Sequence, residues 1–305
     1  VRTAFIESLC AAAEADSRIF LVCGDLGYSV LERFATRFPD RYLNAGVAEQ
    51  NMTGVAAGLA LTGKIVFVYS IVNFPVMRCL EQVRNDVAYH RLNVKIVTVG
   101  GGMVYGGHGY THHGAEDLAV MSSLPNMTVI APGDATETRL AVPAVVAQDG
   151  PCYLRLGRGG EGDVHTSPPK FVIGKAIQMR TGNDLVIAST GGTLGLVINA
   201  ADRLKECGID VAVLSMPTLQ PFDSQKLLST VKSSGRLVTV EEHGWGGLGT
   251  AAAESIASGG ISVRFRMVRL RREPVEVAGK HEYLRGLHGI NVPNIMATVQ
   301  ELARR

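Results

Sequence analysis

The run Tyr42-Leu43-Asn44-Ala45-Gly46-Val47-Ala48-Glu49-Gln50-Asn51-Met52-Thr53 sets an acid at the head of an apolar helical repeat. Spacings of three and four put Glu49 on one face with Met52, Thr53 and Ala56, so its carboxylate points inward. Two readings follow. A first-turn acid gains from the unsatisfied N–H groups and partial positive charge of a helix start, which would make Glu49 purely structural. A carboxyl group taken out of water titrates higher than usual and can share a proton with a ligand's ring nitrogen at neutral pH. The residues alone leave both open.

A second candidate is the loop Gly106-Gly107-His108-Gly109-Tyr110-Thr111-His112-His113-Gly114, which follows an apolar run ending near Val99. Open α/β sheets bind ligands at the carboxyl ends of their parallel strands, where such a loop would stand. His112 can donate, accept and titrate near neutrality, which suits proton movement; a loop histidine can equally just bond a carbonyl. Asp25, in Cys23-Gly24-Asp25-Leu26-Gly27-Tyr28-Ser29, would face a ligand, cap the next element, or do both. Arg158, in Leu156-Gly157-Arg158-Gly159, offers a planar fork suited to phosphate or sulfonate, or is a solvent-exposed linker arginine. Phe67-Val68-Tyr69-Ser70-Ile71-Val72-Asn73-Phe74 supplies aromatic faces for a flat heterocycle. Phe67, on a β-run, reads as core, and Phe74, past the strand, as the better stacking face.

The elements that must position these groups alternate. Strands are expected at Ile19–Cys23, Ile65–Tyr69, Val94–Val99, Met127–Ile130 and Cys152–Leu156, with helices at Thr3–Ala15, Ala48–Leu61, Val76–Tyr89 and Ala135–Ala147. A second series has strands at Asp184–Ala188, Asp210–Leu214, Arg236–Val240 and Ile261–Val268, and helices at Thr193–Glu206, Ser224–Lys232, Leu248–Ala257 and Pro293–Ala303. The fold class is therefore α/β, with two doubly wound, mainly parallel sheets. Between the series lies a glycine- and proline-rich stretch too poor in apolar residues to pack, which divides the chain into domains 1–158 and 171–305 with a linker at 159–170.

Composition narrows the function. The chain has 305 residues, 46% hydrophobic and 19% charged, with 35 glycines and a formal net charge of +2, as a compact enzyme would. The basic cluster Arg264, Arg266, Arg269, Arg271 and Arg272 alternates with apolar residues and reads as a solvated strand face, not a nucleic-acid surface, since no aromatic platform accompanies it. Five scattered cysteines fit buried thiols of a reducing cytosol, and no apolar run is long enough to span a membrane. A cytoplasmic enzyme is expected.

Gly46-Val47-Ala48-Glu49 resembles the G-[IV]-[AR]-E segment of the transketolase family, and the likeness extends over nearly the whole chain, as a pyrimidine-binding domain followed by the family's carboxy-terminal domain. The resemblance implies that Glu49 hydrogen-bonds the aminopyrimidine of thiamine diphosphate and favours its imino tautomer, which removes the thiazolium proton and gives the ylid that attacks a ketose. It implies an active-site role for His112, matching the G-x-T-H-[QH] loop, and aminopyrimidine contacts from the stretch holding Tyr69 and Phe74. Asp25 falls near the cofactor, Ser29 where some members touch substrate phosphate, and Arg158 on the substrate-phosphate arginine. His108 stands where phosphosugar transketolases usually carry an aspartate that meets a substrate hydroxyl, and Gly100 replaces a further histidine eight residues earlier. Those two departures leave the chemistry and touch the choice of sugar.

The family's G-D-G…N motif, which holds the diphosphate through Mg2+ or Ca2+, does not occur in this sequence. The resemblance then implies a separate amino-terminal subunit carrying that motif, an active site closed across the interface, and an α2β2 assembly. The expected reaction moves a two-carbon ketol unit from a ketose to an aldose, both phosphorylated or sulfonated. Two alternatives compete with it. The beta chain of a 2-oxo-acid dehydrogenase typically carries I-[ST]-E-x-G-[FI] around the glutamate, unlike Val47-Ala48-Glu49-Gln50-Asn51. A non-catalytic nucleotide-binding module would use the turns Gly100–Gly109 and Gly244–Gly249, but no G-x-G-x-x-G follows the first strand. In the second domain, Glu241-Glu242-His243 is expected at a loop available for contacts between chains, and His281 and His288 are expected at the surface.

Overall fold

The computed structural model describes residues 1–159 and 162–304; Gly160 and Glu161 of the expected linker, and Arg305, lie outside the described residues. The first half runs α1 (Arg2–Ala15), β1 (Ile19–Cys23), α2 (Glu32–Arg37), β2 (Tyr42–Asn44), α3 (Glu49–Leu61), β3 (Ile65–Ile71), α4 (Leu80–Gln82), β4 (Val94–Val99), α5 (Asp117–Ser122), β5 (Thr128–Ile130), α6 (Ala135–Ala147) and β6 (Cys152–Leu156). The second runs β7 (Ile177–Arg180), β8 (Leu185–Ser189), α7 (Leu194–Glu206), β9 (Val211–Ser215), β10 (Thr218–Gln220), α8 (Ser224–Val231), β11 (Arg236–Val240), α9 (Leu248–Ser258), β12 (Arg264–Val268), α10 (His281–Leu287) and α11 (Val292–Arg304). No helix among the described residues is long and apolar enough to cross a membrane.

Two mainly parallel sheets result, in the orders β10-β5-β6-β4-β3-β1-β2 and β12-β11-β8-β9-β7. Strands β3, β4 and β6 are buried on both faces, which is why their sequences are continuous apolar runs. The exceptions to parallel pairing are edge strands: β10 pairs antiparallel with β5, and β7 antiparallel with β9. Because β10 comes from the second half yet completes the first sheet, the halves share hydrogen-bonded backbone and not only a packed face.

Several expectations change. The helix expected at Val76–Tyr89 is short α4 flanked by π-helical turns at Phe74–Arg78 and Val83–Tyr89. Such wide turns recur at functional sites, and this one begins at Phe74. The linker, expected to lie unpacked, is anchored: the backbone N–H groups of Val164 and His165 donate to Asp134 Oδ2 at 2.8 and 3.2 Å. The His165 ring stands 3.0 Å from the buried Glu137 carboxylate, and that hydrogen bond raises its pKa. Cys207 is exposed, whereas Cys10, Cys23, Cys79 and Cys152 are buried. In the basic cluster, Arg269 and Arg272 lie over the Trp245 ring at 4.2 and 5.1 Å and are not simply solvated.

Glu241, Glu242 and His243 are buried, so they tie the chain to itself and are not free for contacts with another chain. Glu241 accepts from the N–H groups of Leu248 and Gly249 at the start of α9, both at 2.7 Å. His243 Nε2 accepts from Leu118 N–H at 3.1 Å, which ties the second half to α5. Burial pushes its pKa down to about 4, keeping the ring a neutral acceptor.

Candidate functional site

Every candidate residue except Tyr69, which lies within β3 itself, stands beyond the carboxyl end of a strand of the first sheet. Arg158 follows β6, His108 and His112 follow β4, Phe74 follows β3, Asp25 and Ser29 follow β1, and Glu49 follows β2. These strands are neighbours in the order β6-β4-β3-β1-β2. A parallel sheet directs all such loops to one edge, so residues far apart in sequence line up there.

Glu49 is the first residue of α3 and only 3% exposed, on the face it shares with Met52, Thr53 and Ala56. The helix stripe read from the sequence is thus the buried one. Its Oε2 accepts from Arg78 Nη1 at 2.7 Å, and the Arg78 guanidinium also lies 5.0 Å from the Phe74 ring centroid. A flat cation that donates N–H and rests on an aromatic face offers the donor set and shape of an aminopyrimidine edge. The shallow hollow around Glu49 is lined by Val47, Ala48, Gln50, Asn51 and Arg78.

Half-buried Phe74 meets the His112 ring edge-on at 5.3 Å between centroids. His112 lies 5.0 Å from His108, and Tyr105 stands 5.7 Å from His108 and 6.5 Å from His112. Arg158 caps the series, 5.5 Å from the Tyr105 ring. A continuous chain of contacts therefore runs Glu49, Arg78, Phe74, His112, His108, Tyr105, Arg158. Arg78 and Tyr105 were missed by sequence reasoning. Tyr105 explains one departure, because a Cβ on Gly100 (φ +90°) would stand 2.3 Å from its ring. The tyrosine fills the room that a histidine at 100 would need.

Burial lowers the pKa of His112, and the neighbouring His108 lowers it further. Its ring is therefore neutral at pH values where a free imidazole, with an ordinary value of 6.5, is half charged. If His112 must be neutral to act, the acid limb of the pH–rate profile falls below pH 6.5, and His108→Asn moves that limb upward by removing a like charge. An unmoved limb in the variant would mean another group controls it.

Asp25 joins the edge near Glu49. Asn44 Nδ2 donates to its Oδ1 at 2.9 Å, and Asp25 N–H donates back to Asn44 Oδ1 at 2.9 Å. Asn44 also accepts from Gly46 N–H at 3.0 Å, so it binds the β1 and β2 loops together beside the start of α3. Asp25 and Ser29 both adopt positive φ, +55° and +63°, a conformation costly without glycine and frequent at ligand sites. Ser29 is exposed and donates its N–H to Glu32, on the β1 loop and outside the chain of contacts from Phe74 to Arg158. Tyr69 departs from the expected role: it is fully buried in β3, its ring stacked on Phe5 at 5.8 Å, and belongs to the core with Phe67. Alternation sent its side chain to the α1 face of the sheet.

Comparison with known proteins gives two matches along the chain: Transketolase, pyrimidine binding domain, over residues 1–160, and Transketolase, C-terminal domain, over residues 174–295. One of the two subunits of the apulose-4-phosphate transketolase of Phocaeicola vulgatus is 37% identical, across 100% of this chain and 97% of that protein. The matching subunit of a 6-deoxy-6-sulfo-D-fructose transketolase from a Clostridium species is also 37% identical, across 100% and 95%. A solved split gene transketolase, an inactive beta4 tetramer, superimposes with a TM-score of 0.90 at 33% identity, covering 99% of this chain and 97% of that one.

Proposed function

The chain belongs to the transketolase family, and from that premise we propose that it is the carboxy-terminal subunit of a split, thiamine-diphosphate-dependent transketolase whose site closes against an amino-terminal partner. The observation that carries the reading is the unbroken line from Glu49 to Arg158 along one sheet edge, with Arg78 held on Glu49 and Phe74 as a flat ligand would be.

Glu49 and Phe74 would hold the aminopyrimidine, and Arg78, half exposed at its guanidinium, would yield its place. When bound, thiamine diphosphate supplies the nucleophilic carbon and electron sink. The protein's share is positional and protonic. Glu49, shielded from water, holds a proton at the ring-nitrogen end, and Phe74 fixes the plane it lies in. His112, neutral and one ring further along, accepts or returns a proton at the substrate hydroxyl, and Arg158 draws the anionic end outward.

The diphosphate and its divalent cation, Mg2+ or Ca2+, fall to the partner in this reading, because no Gly-Asp-Gly occurs in the sequence. The solved relative is inactive as four beta chains, which supports the dependence on a partner; α2β2 is the stoichiometry that family symmetry suggests. The two sugar transketolases it resembles are named for a sugar phosphate and a sulfosugar, so the donor proposed here is a ketose with either anion. Mixing the purified chain with its amino-terminal counterpart should produce ketol transfer in the presence of thiamine diphosphate, and the chain alone should produce none. Turnover by the chain alone would overturn the split arrangement.

A further inference from the structure

Beyond the first sheet's own loops, a hollow of about 440 Å³ opens where the two halves meet, lined by Tyr105, Gly107 and His108, by Arg158, and by Gly279, Lys280 and His281 of the second half. No carboxylate is among its described lining residues. We propose that Lys280, supplied by the second domain, is a specificity-determining residue that completes with Arg158 a subsite for the anionic end group, phosphate or sulfonate, of the sugar. The inference deepens the transketolase reading and rests on it.

The segment carrying Lys280 is held in place. Gly279 N–H donates to Gly106 O at 3.2 Å, and a Cβ on Gly106 would lie 2.4 Å from Leu284 and 2.6 Å from Gly279 O, so only glycine permits that approach. The next residue, His281, bonds both carboxylate oxygens of Glu242 through Nε2 at 2.7 and 2.9 Å. Glu242 in turn accepts from Met103 N–H at 2.7 Å through its side chain and from Arg155 Nη2 at 2.9 Å through its carbonyl. His281, expected at the surface, is thus an anchor joining the β4 loop to the head of α10. Lys280 sits between two fixed residues, and its ammonium has no hydrogen-bond or ion-pair partner among the described residues.

Arg158 also lacks an acidic partner there and contacts only the Tyr105 face. Two unneutralised cations lining one concave space repel each other and concentrate field of one sign, a cost that a bound anion removes. The guanidinium gives a paired N–H fork, the ammonium a point charge with three donors, and the His108 ring one more donor for a tetrahedral anion's oxygens. His108 links this hollow to His112, whose ring lies 5.0 Å away. The anion would therefore be gripped at the end of the sugar remote from the reacting carbons.

The test is steady-state kinetics of the reconstituted complex, saturated with cofactor, on phosphorylated, sulfonated and uncharged ketose donors. Lys280→Met should raise KM for charged donors about ten-fold or more, the loss of one charge-assisted contact, with little change in kcat. KM for the uncharged donor should stay put, and Lys280→Arg should recover most of the loss. The donor with the larger penalty identifies the anion for which the subsite is built. An unchanged KM for charged donors, or an equal rise for charged and uncharged ones, would overturn the proposal while leaving the transketolase reading intact. Should the wild-type complex transfer no ketol unit, that reading fails. The subsite then stands or falls on inorganic phosphate and sulfate shifting the His108 ring resonance in the wild-type chain but not in Lys280→Met.

Discussion

Replacing Glu49 with glutamine should slow the reconstituted complex by about a hundred- to ten-thousand-fold, with assembly and fold retained. The carboxylate is 3% exposed and stands at the first position of α3, so its protonation state is set by whatever meets it across the hollow. In the free chain that is Arg78, at 2.7 Å. Glutamine keeps the volume and can still accept from the guanidinium through its amide oxygen, so no buried donor is orphaned. Arg78 is about half exposed, and solvent screening limits the lost attraction to about 1 kcal/mol or less. Melting curves and complex stoichiometry should thus barely move while turnover falls. Near-normal turnover would remove Glu49 from the chemistry, and a collapsed melting curve would make its role structural.

The same residue shows how far the sequence carries. The stripe Glu49, Met52, Thr53, Ala56 was legible from spacing alone, because an α-helix buries one face and the burial pattern repeats that face. Strands β1, β4, β6 and β11 were legible to the residue, since strands covered on both faces must be apolar throughout. Three short strands, β2, β7 and β10, were not. Each sits at a sheet edge, and their pairing is decided by the strand beside them, as when Thr218–Gln220 crosses to the first sheet. No local periodicity encodes such a crossing.

The site divides along similar lines. Glu49, His112, Phe74 and Arg158 were legible because each lies in a motif or a loop whose chemistry can be read locally. Tyr69 was assigned to the cofactor since it shares an aromatic stretch with Phe74, but alternation along β3 turned its side chain to Phe5. Arg78, Tyr105 and Lys280 carried no signal of their own. Arg78 reaches Glu49 only because π-helical turns rewind the segment after β3. Tyr105 has room because residue 100 is glycine, and Lys280 arrives on a segment docked from the other half.

That docking depends on one buried cluster, whose disruption should produce the largest loss of stability in the chain. Asp117, 1% exposed, accepts from Tyr153 Oη at 2.6 Å and Arg155 Nε at 2.8 Å. Arg155, 5% exposed, directs Nη2 at the carbonyls of Gly114 and Glu242, at 2.7 and 2.9 Å. One guanidinium on β6 thereby fixes the end of the histidine loop and the backbone of the second half. Asp117→Ala strands that charge in the interior, where breaking a buried pair costs roughly 3–5 kcal/mol. Against a usual total of about 5–15 kcal/mol, this is a large fraction, read as a lower midpoint in urea titration. Removing both charges with Asp117→Leu and Arg155→Met should return much of the stability, because the principal penalty is the unpaired ion and not the lost attraction. A single-variant loss below about 1 kcal/mol would show that the cluster is hydrated and the halves are held by other contacts.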